Sequence, residues 1–195
     1  MRKPIRSPAD RIFNHDPPMK AKDVIAFYRR LEESGIQIWL DGGWGVDALL
    51  EEQTRPHKDL DVVVRAEDVA RMNEVLGREG FEFAEGTPTS FVLRDPVGRE
   101  IDVHVARFDE HGNGIYRMQN GEDWVYPAEG FGGKGKIKGF QVRCLSASVQ
   151  MLCHTGYELR EKDLREMELL HERFDLDYPE EHAHLQVGRR SRRPG

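Results

Sequence analysis

Asp59 and Asp61 open an apolar run sixteen residues after the pair Gly42-Gly43. On a strand, alternate residues point the same way with Cα atoms roughly 6–7 Å apart. Both carboxylates can therefore turn toward one metal-sized gap. A glycine pair lets backbone amides come close to a bulky anion, because no Cβ stands in the way. An acidic pair together with a glycine turn is what a metal–nucleotide site needs.

A third carboxylate extends the pattern. In Ile101-Asp102-Val103-His104-Val105 the apolar residues take one face and leave Asp102 and His104 on the other. If this strand lies beside the Asp59–Asp61 strand, about 4.8 Å away, three carboxylates share one patch. Acids at that density raise one another's pKa, and a hard divalent cation, Mg²⁺, removes the repulsion. Two such ions about 3.5–4 Å apart could hold the attacking and leaving oxygens of an in-line displacement at phosphorus. Asp59 and Asp61 then bind the metal that bridges a triphosphate. Asp102 ligates a second ion or serves as general base. The amides of Gly42 and Gly43, with Arg55 and Lys58, neutralise the phosphates. Several neighbours stay open between two roles. His57 touches phosphate or caps its loop, and His104 orients Asp102 or is an edge or core histidine. Asp41 faces the substrate or caps the next helix. Trp44, Trp124, Tyr126 and Tyr157 wall a base or sugar ring, or fill the core.

The elements that must position these residues are read from periodicity. Val24, Phe27 or Tyr28, and Leu31 recur at helical spacing up to Gly35. Ile36, Ile38 and Leu40 alternate into the glycine turn, and Gly45 to Glu52 reads as a short helix leaving it. Leu60, Val62 and Val64 give a strand with an apolar back and an acidic front. Val69, Met72 and Val75/Leu76 mark a helix closing near Gly80. Strand-like segments follow at Phe81–Ala84, Ser90–Arg94 and Glu100–Ala106, the last two joined by the turn Asp95-Pro96-Val97-Gly98. Phe108 to Lys136 reads as loops with at most one short strand, and Ile137 to Leu145 as a last strand or hairpin. Beyond Ser146 the pattern is helical, with Leu164, Met167, Leu170 and Phe174 as an apolar stripe and Glu161/Arg165 as an i,i+4 pair. The fold class is α+β, a mixed β-sheet domain with a small C-terminal helical region.

Composition limits the partners. The net charge is −6, but the first twenty residues carry five Lys/Arg and two Asp, and the last eight carry four Arg, which leaves −13 for the body. So acidic a body is a poor match for a nucleic-acid backbone and a better one for cationic or neutral small molecules. Cys144 and Cys153 are too few for a disulfide framework and lack metal-ligand spacing, as expected of buried thiols in a reducing cytoplasm. No apolar stretch approaches the length of a membrane span, and the basic N-terminus lacks the apolar segment of a signal peptide.

The order hDGGWxxD, then R-x-H-x-D-h-D, then h-D-h-H resembles the nucleotidyltransferase superfamily that includes DNA polymerase β. The likeness runs from about Val24 to Phe174. Leu40–Asp47, Arg55–Asp61, Ile101–His104 and His154-Thr155-Gly156-Tyr157-Glu158-Leu159 most resemble lincosamide nucleotidyltransferases. Thr54–Asp61 and Val142–Ser146 also resemble aminoglycoside 2''-nucleotidyltransferases. Many superfamily members have Gly-Ser where this chain has Gly42-Gly43, whereas the antibiotic-modifying branch shares Gly-Gly. The resemblance implies a polymerase-β-like palm and Mg²⁺-dependent NMP transfer from ATP or another NTP to a hydroxyl. Metal ligands are implied at Asp59 and Asp61 and a catalytic carboxylate at Asp102. The implied acceptor is a small antibiotic, lincosamide first and aminoglycoside second, with AMP as the expected nucleotide, and a homodimer follows from the resemblance alone. Transfer to tRNA or protein is the competing activity, and a non-catalytic nucleotide-binding protein is the third reading. On this basis residues 1–19 form an arm, 20–145 the nucleotidyltransferase domain, 146–177 the helical region and 178–195 a basic tail.

Overall fold

A computed structural model describes residues 18–185. Helix α1 (Ala21–Glu33) leads into β1 (Ile38–Leu40), and α2 (Gly42–Leu50) follows at once. Then come β2 (Asp59–Arg65), α3 (Val69–Gly77), β3 (Glu82–Thr87), β4 (Ser90–Arg94) and β5 (Glu100–Phe108). After these lie β6 (Gly114–Arg117), β7 (Asp123–Tyr126), the hairpin β8 (Lys134–Ile137) and β9 (Phe140–Arg143), α4 (Ala147–Leu152) and α5 (Glu161–Phe174).

The main sheet is mixed. Its order is β1-β2-β5-β4-β3, with β6 also paired to β5 and β7 to β6. β2 and β5 run parallel, and the other pairs are antiparallel. Alternation along β2 divides the core. Leu60, Val62 and Val64 pack with Val24, Phe27 and Leu31 of α1, Met72 and Leu76 of α3, and Ile101, Val103 and Val105 of β5. On the other face Val63 joins Trp39, Ala106, Tyr116, Tyr126, Leu145 and Val149. The front of β2 is therefore acidic only at its start. A third cluster, with Val46, Met151, Met167, Leu170 and Tyr178, ties α2 to α4 and α5.

The α+β class and the first half of the chain follow the periodicity, but four expectations need correcting. The glycine pair is the first turn of α2, so that helix starts three residues before Gly45. The region expected as loops holds β6, β7 and β8, strands of four residues each. On α5 the buried residues are Asp163, Glu166, Met167 and Leu170, while Leu164 and Phe174 are exposed, and Arg165 pairs with Glu168 rather than Glu161. At the ends, Met19 is buried and bridges to His57, and Tyr178 and His182 are buried too. Packed structure thus reaches past both boundaries expected for arm and tail, whose outer parts, 1–17 and 186–195, lie outside the described residues. Among the described residues no helix is long and apolar enough to cross a membrane.

Ile101, buried beside Leu60 in the β2–β5 pair, carries this framework without facing the acidic side. Ile101→Ala is expected to cost about 2–4 kcal/mol through lost burial and the cavity left behind, read as a lowered denaturation midpoint in urea.

Candidate active site

The parallel pairing of β2 and β5 sets Asp61 directly beside Asp102, with Val63 beside His104. Ligand atoms of Asp61, Asp102 and His104 lie within 4.8 Å of one another. Asp59 lines the same cavity at the start of β2, outside that three-residue cluster. One oxygen of Asp102, Oδ1, is shielded from solvent without a hydrogen-bond partner, 3.7 Å from His104 Nε2. His104 Nδ1 lies 3.4 Å from Asp41 Oδ2, and its ring stacks on Tyr116 at 4.9 Å.

Electrostatics follow from this crowding. Burial, and next the neighbouring Asp59, push Asp61 up to about 8. Burial also raises Asp102, against the pull of His104. For His104, burial opposes the charged form, but the hydrogen bond and charge of Asp41, with the charges of Asp102 and Asp61, raise it to about 9. A shielded, unpartnered carboxylate oxygen and a second carboxyl that resists ionising fit a hard divalent cation. Asp61 and Asp102 could hold it, with Asp59 adding negative charge from the edge.

The glycine pair works differently from the expectation of amides open to phosphate. Gly42 has φ +54, and a Cβ there would strike the Asp61 carboxylate, 2.9 Å from its Cγ. A Cβ on Gly43 would strike the His57 ring and come within 2.8 Å of Arg55 Nη2. Both glycines thus make room for side chains, and both also line the cavity. Asp41 is the N-cap of α2 and accepts from Gly42 N at 2.7 Å, so its two proposed positions, cap and cavity wall, coincide.

Arg55 and His57 sit against this helix start. His57 is buried, with Nε2 2.5 Å from Asp47 Oδ2, while Asp47 Oδ1 accepts from Thr54 N at 3.0 Å and Thr54 Oγ1 at 2.7 Å. Arg55 donates from Nε (3.0 Å) and Nη2 (2.5 Å) to Glu166 Oε1 on α5. Both residues line the cavity. Lys58 turns instead to Glu100 Oε2 at 2.9 Å. Trp44 is a core residue, 1 % exposed and packed on the His57 ring at 4.7 Å, and does not wall the cavity as a substrate residue would.

The cavity measures about 300 Å³, at the small end of ligand pockets. Its far wall brings in Tyr157, whose hydroxyl bonds His154 Nδ1 at 2.9 Å, together with Lys162, Asp163 and Glu166 of α5. Burial holds His154 below its ordinary value, which keeps it neutral. Sequence reading missed Asp47, Glu166 and Tyr116. The signal for Glu166 was available: Asp163, Glu166, Met167 and Leu170 follow i, i+3, i+4, i+7, which places two acids on the buried stripe of α5.

Acidic residues on adjacent parallel strands, facing a helix that begins in glycines, form the arrangement expected of a nucleotidyltransferase site. The model of the aminoglycoside-2''-adenylyltransferase family matches residues 23–170, and the chain belongs to that family. It is 27% identical over 143 residues to a lincosamide resistance protein of Staphylococcus haemolyticus, covering 73% of this chain and 88% of the relative. The crystal structure of the lincosamide antibiotic adenylyltransferase LnuA with lincomycin bound matches with a TM-score of 0.69 at 26% identity, covering 79% of this chain and 98% of LnuA. ANT(2'')-Ia, solved with adenylyl-2''-tobramycin, shares the fold with a TM-score of 0.63 at 19% identity, covering 88% of this chain and 97% of its own.

The raised pKa of Asp61 makes cation binding pH-dependent. In the unfolded chain Asp61 ionises near its ordinary value of 3.8, and in the folded, cation-free protein at about 8. Between those values only the folded state keeps the proton, so ionising the group costs stability as pH rises through that window. A bound cation must displace that proton below about 8. Mg²⁺ affinity by titration calorimetry is therefore expected to weaken by up to about tenfold per pH unit below 8, with proton release. The rise in Tm on adding Mg²⁺ should be larger at pH 8.5 than at pH 6.5. Equal affinities at the two pH values would remove Asp61 from the cation site.

Proposed function

We propose that the protein transfers NMP, with AMP as the expected nucleotide, from Mg–NTP to a hydroxyl of a small antibiotic, a lincosamide first. Pyrophosphate leaves, and the antibiotic is inactivated. The observation that carries this reading is the meeting of Asp61, Asp102 and His104 within one coordination-sized space on the in-register strands β2 and β5. When bound, Mg²⁺ would neutralise triphosphate charge and polarise the α-phosphate. Asp61 would hold it from β2, and Asp59 would have to turn in from the edge of the cavity to share it, which leaves Asp102 for the proton.

Asp102 takes the proton from the acceptor hydroxyl as its oxygen bonds to the α-phosphorus and the bond to the β-phosphate oxygen breaks. His104, anchored on Asp41, holds the Asp102 carboxylate beside Asp61 at the edge of the cavity. The positive end of α2, with Arg55 and His57 beside Gly43, faces the phosphates. Lys58 would have to leave Glu100 to join them. We place the reaction in the cytoplasm, where Mg–NTP is abundant. Two relatives support the lincosamide reading: the resistance protein and lincomycin-bound LnuA. The family match keeps an aminoglycoside as the second acceptor.

Incubation with Mg²⁺, each of the four NTPs and a panel of lincosamides and aminoglycosides, followed by mass spectrometry, is expected to give an NMP adduct. Asp102→Asn should lower the rate by about 10²–10⁴-fold, the usual worth of a general base, while NTP affinity by calorimetry stays close to wild type. Undiminished turnover in that variant would take Asp102 out of the mechanism.

A further inference from the structure

The cavity has two unlike halves. Acids and the glycine turn form one, and the β6–β7 hairpin lines the other. Tyr116 and Trp124 are cross-strand partners, and Tyr126, two residues after Trp124, points to the same side. Met118 follows β6 and lines the cavity beside them. The alternate residues, Ile115 and Val125, are exposed on the opposite face. Alternation along two short strands thus delivers an aromatic and thioether wall to the site.

The acids that α5 adds to the cavity are already paired. Asp163 accepts from the Arg160 backbone N at 2.9 Å and from its Nε at 3.1 Å, and Glu166 holds Arg55. Tyr157 and His154 form a neutral hydrogen-bonded pair. The negative charge left to attract a cation therefore lies at the Asp59–Asp61–Asp102 patch, which the metal reading reserves. An acceptor with several amines would set ammonium groups against this wall or break two arginine pairs, and either carries a desolvation cost. A tryptophan face can carry one ammonium by cation–π attraction, not several. An alkyl arm or ring face, by contrast, gains from burial on Trp124 and Met118.

We propose that the Trp124–Met118 wall of the β6–β7 hairpin selects the acceptor, admitting an amphiphilic molecule with a single amine and an apolar arm and disfavouring a polyamine. The proposal rests on the nucleotidyl-transfer reading only for placing the acceptor opposite the NTP. Trp124 and Met118 are specificity-determining residues that take no part in the chemistry.

The test measures binding as well as turnover. With a non-hydrolysable Mg–ATP analogue present, calorimetry on the full chain compares lincomycin, with its single amine and alkyl-substituted ring, with tobramycin, which carries several amines. Wild type is expected to bind lincomycin at least about tenfold more tightly than tobramycin. Trp124→Ala should weaken lincomycin by about tenfold or more, the effect of losing a half-buried aromatic contact. Trp124→Phe should recover most of that loss, and both variants should bind the nucleotide analogue as wild type does, which reports an intact fold. Lincomycin affinity unchanged in Trp124→Ala, no lincomycin binding to wild type, or a preference for tobramycin would each overturn the proposal. If lincomycin binds through Trp124 and yet no acceptor is nucleotidylated, the function reading fails while the acceptor wall stands.

Discussion

The site is built around two missing Cβ atoms. The Asp61 carboxylate occupies the space a side chain on Gly42 would need, and His57 and Arg55 occupy the space beside Gly43. The first turn of α2 therefore acts as a spacer between an acidic strand and a basic loop. The amides of that turn, the one of Gly42 bonded to Asp41, add partial positive charge between the two sets. Asp47, one turn further along α2, draws in His57 and ties Thr54 to the same carboxylate. A side chain at either glycine would separate groups whose spacing the chemistry depends on.

The C-terminal helices complete this arrangement. α5 buries two acids among its apolar residues, a costly choice unless each is paired. Asp163 satisfies the start of its own helix, and Glu166 crosses to Arg55. The second pair links α5 to the loop that leads into Asp59 and Asp61. Movement of α5 would therefore shift Arg55 before it shifted the acidic strand. The helical region forms a wall of the cavity rather than an appendage to the sheet domain.

Residues whose role is set by neighbours in sequence were the ones legible from sequence. Alternation at Leu60, Val62 and Val64, and again at Ile101, Val103 and Val105, fixes which face carries Asp61 and Asp102, and the strands do lie side by side. What stayed hidden depends on distant partners. β6 and β7 are four residues each, too short for alternation to stand out among Gly, Asn and aromatics, yet they supply Tyr116, Trp124 and Tyr126. The stripe on α5 is read wrongly if only apolar residues are counted, because Asp163 and Glu166 take inward positions that Leu164 and Phe174 do not. Trp44 looks like a ring-binding residue beside the glycine turn, but its helical position turns it into the core. In α5, the local pattern fails where a polar group is buried for a partner far along the chain.

His104 ties the acidic patch together through its contacts with Asp41 and Asp102. Its ring is fixed on three sides, by the Tyr116 stack, by Asp41 at Nδ1 and by Asp102 toward Nε2. Asp41 is held in turn by the amide of Gly42. A positive ring so anchored lowers the repulsion among Asp41, Asp61 and Asp102. It also aims Asp102 by a protein contact, so that the orientation of the proposed base is set before substrate arrives. Replacing His104 by an apolar residue of similar size would leave Asp41 and Asp102 facing each other unscreened, and one of them would have to turn away or keep its proton. The chain that starts at Gly42 thus runs through Asp41 and His104 to Asp102, joining the glycine turn to the carboxylate on the next strand.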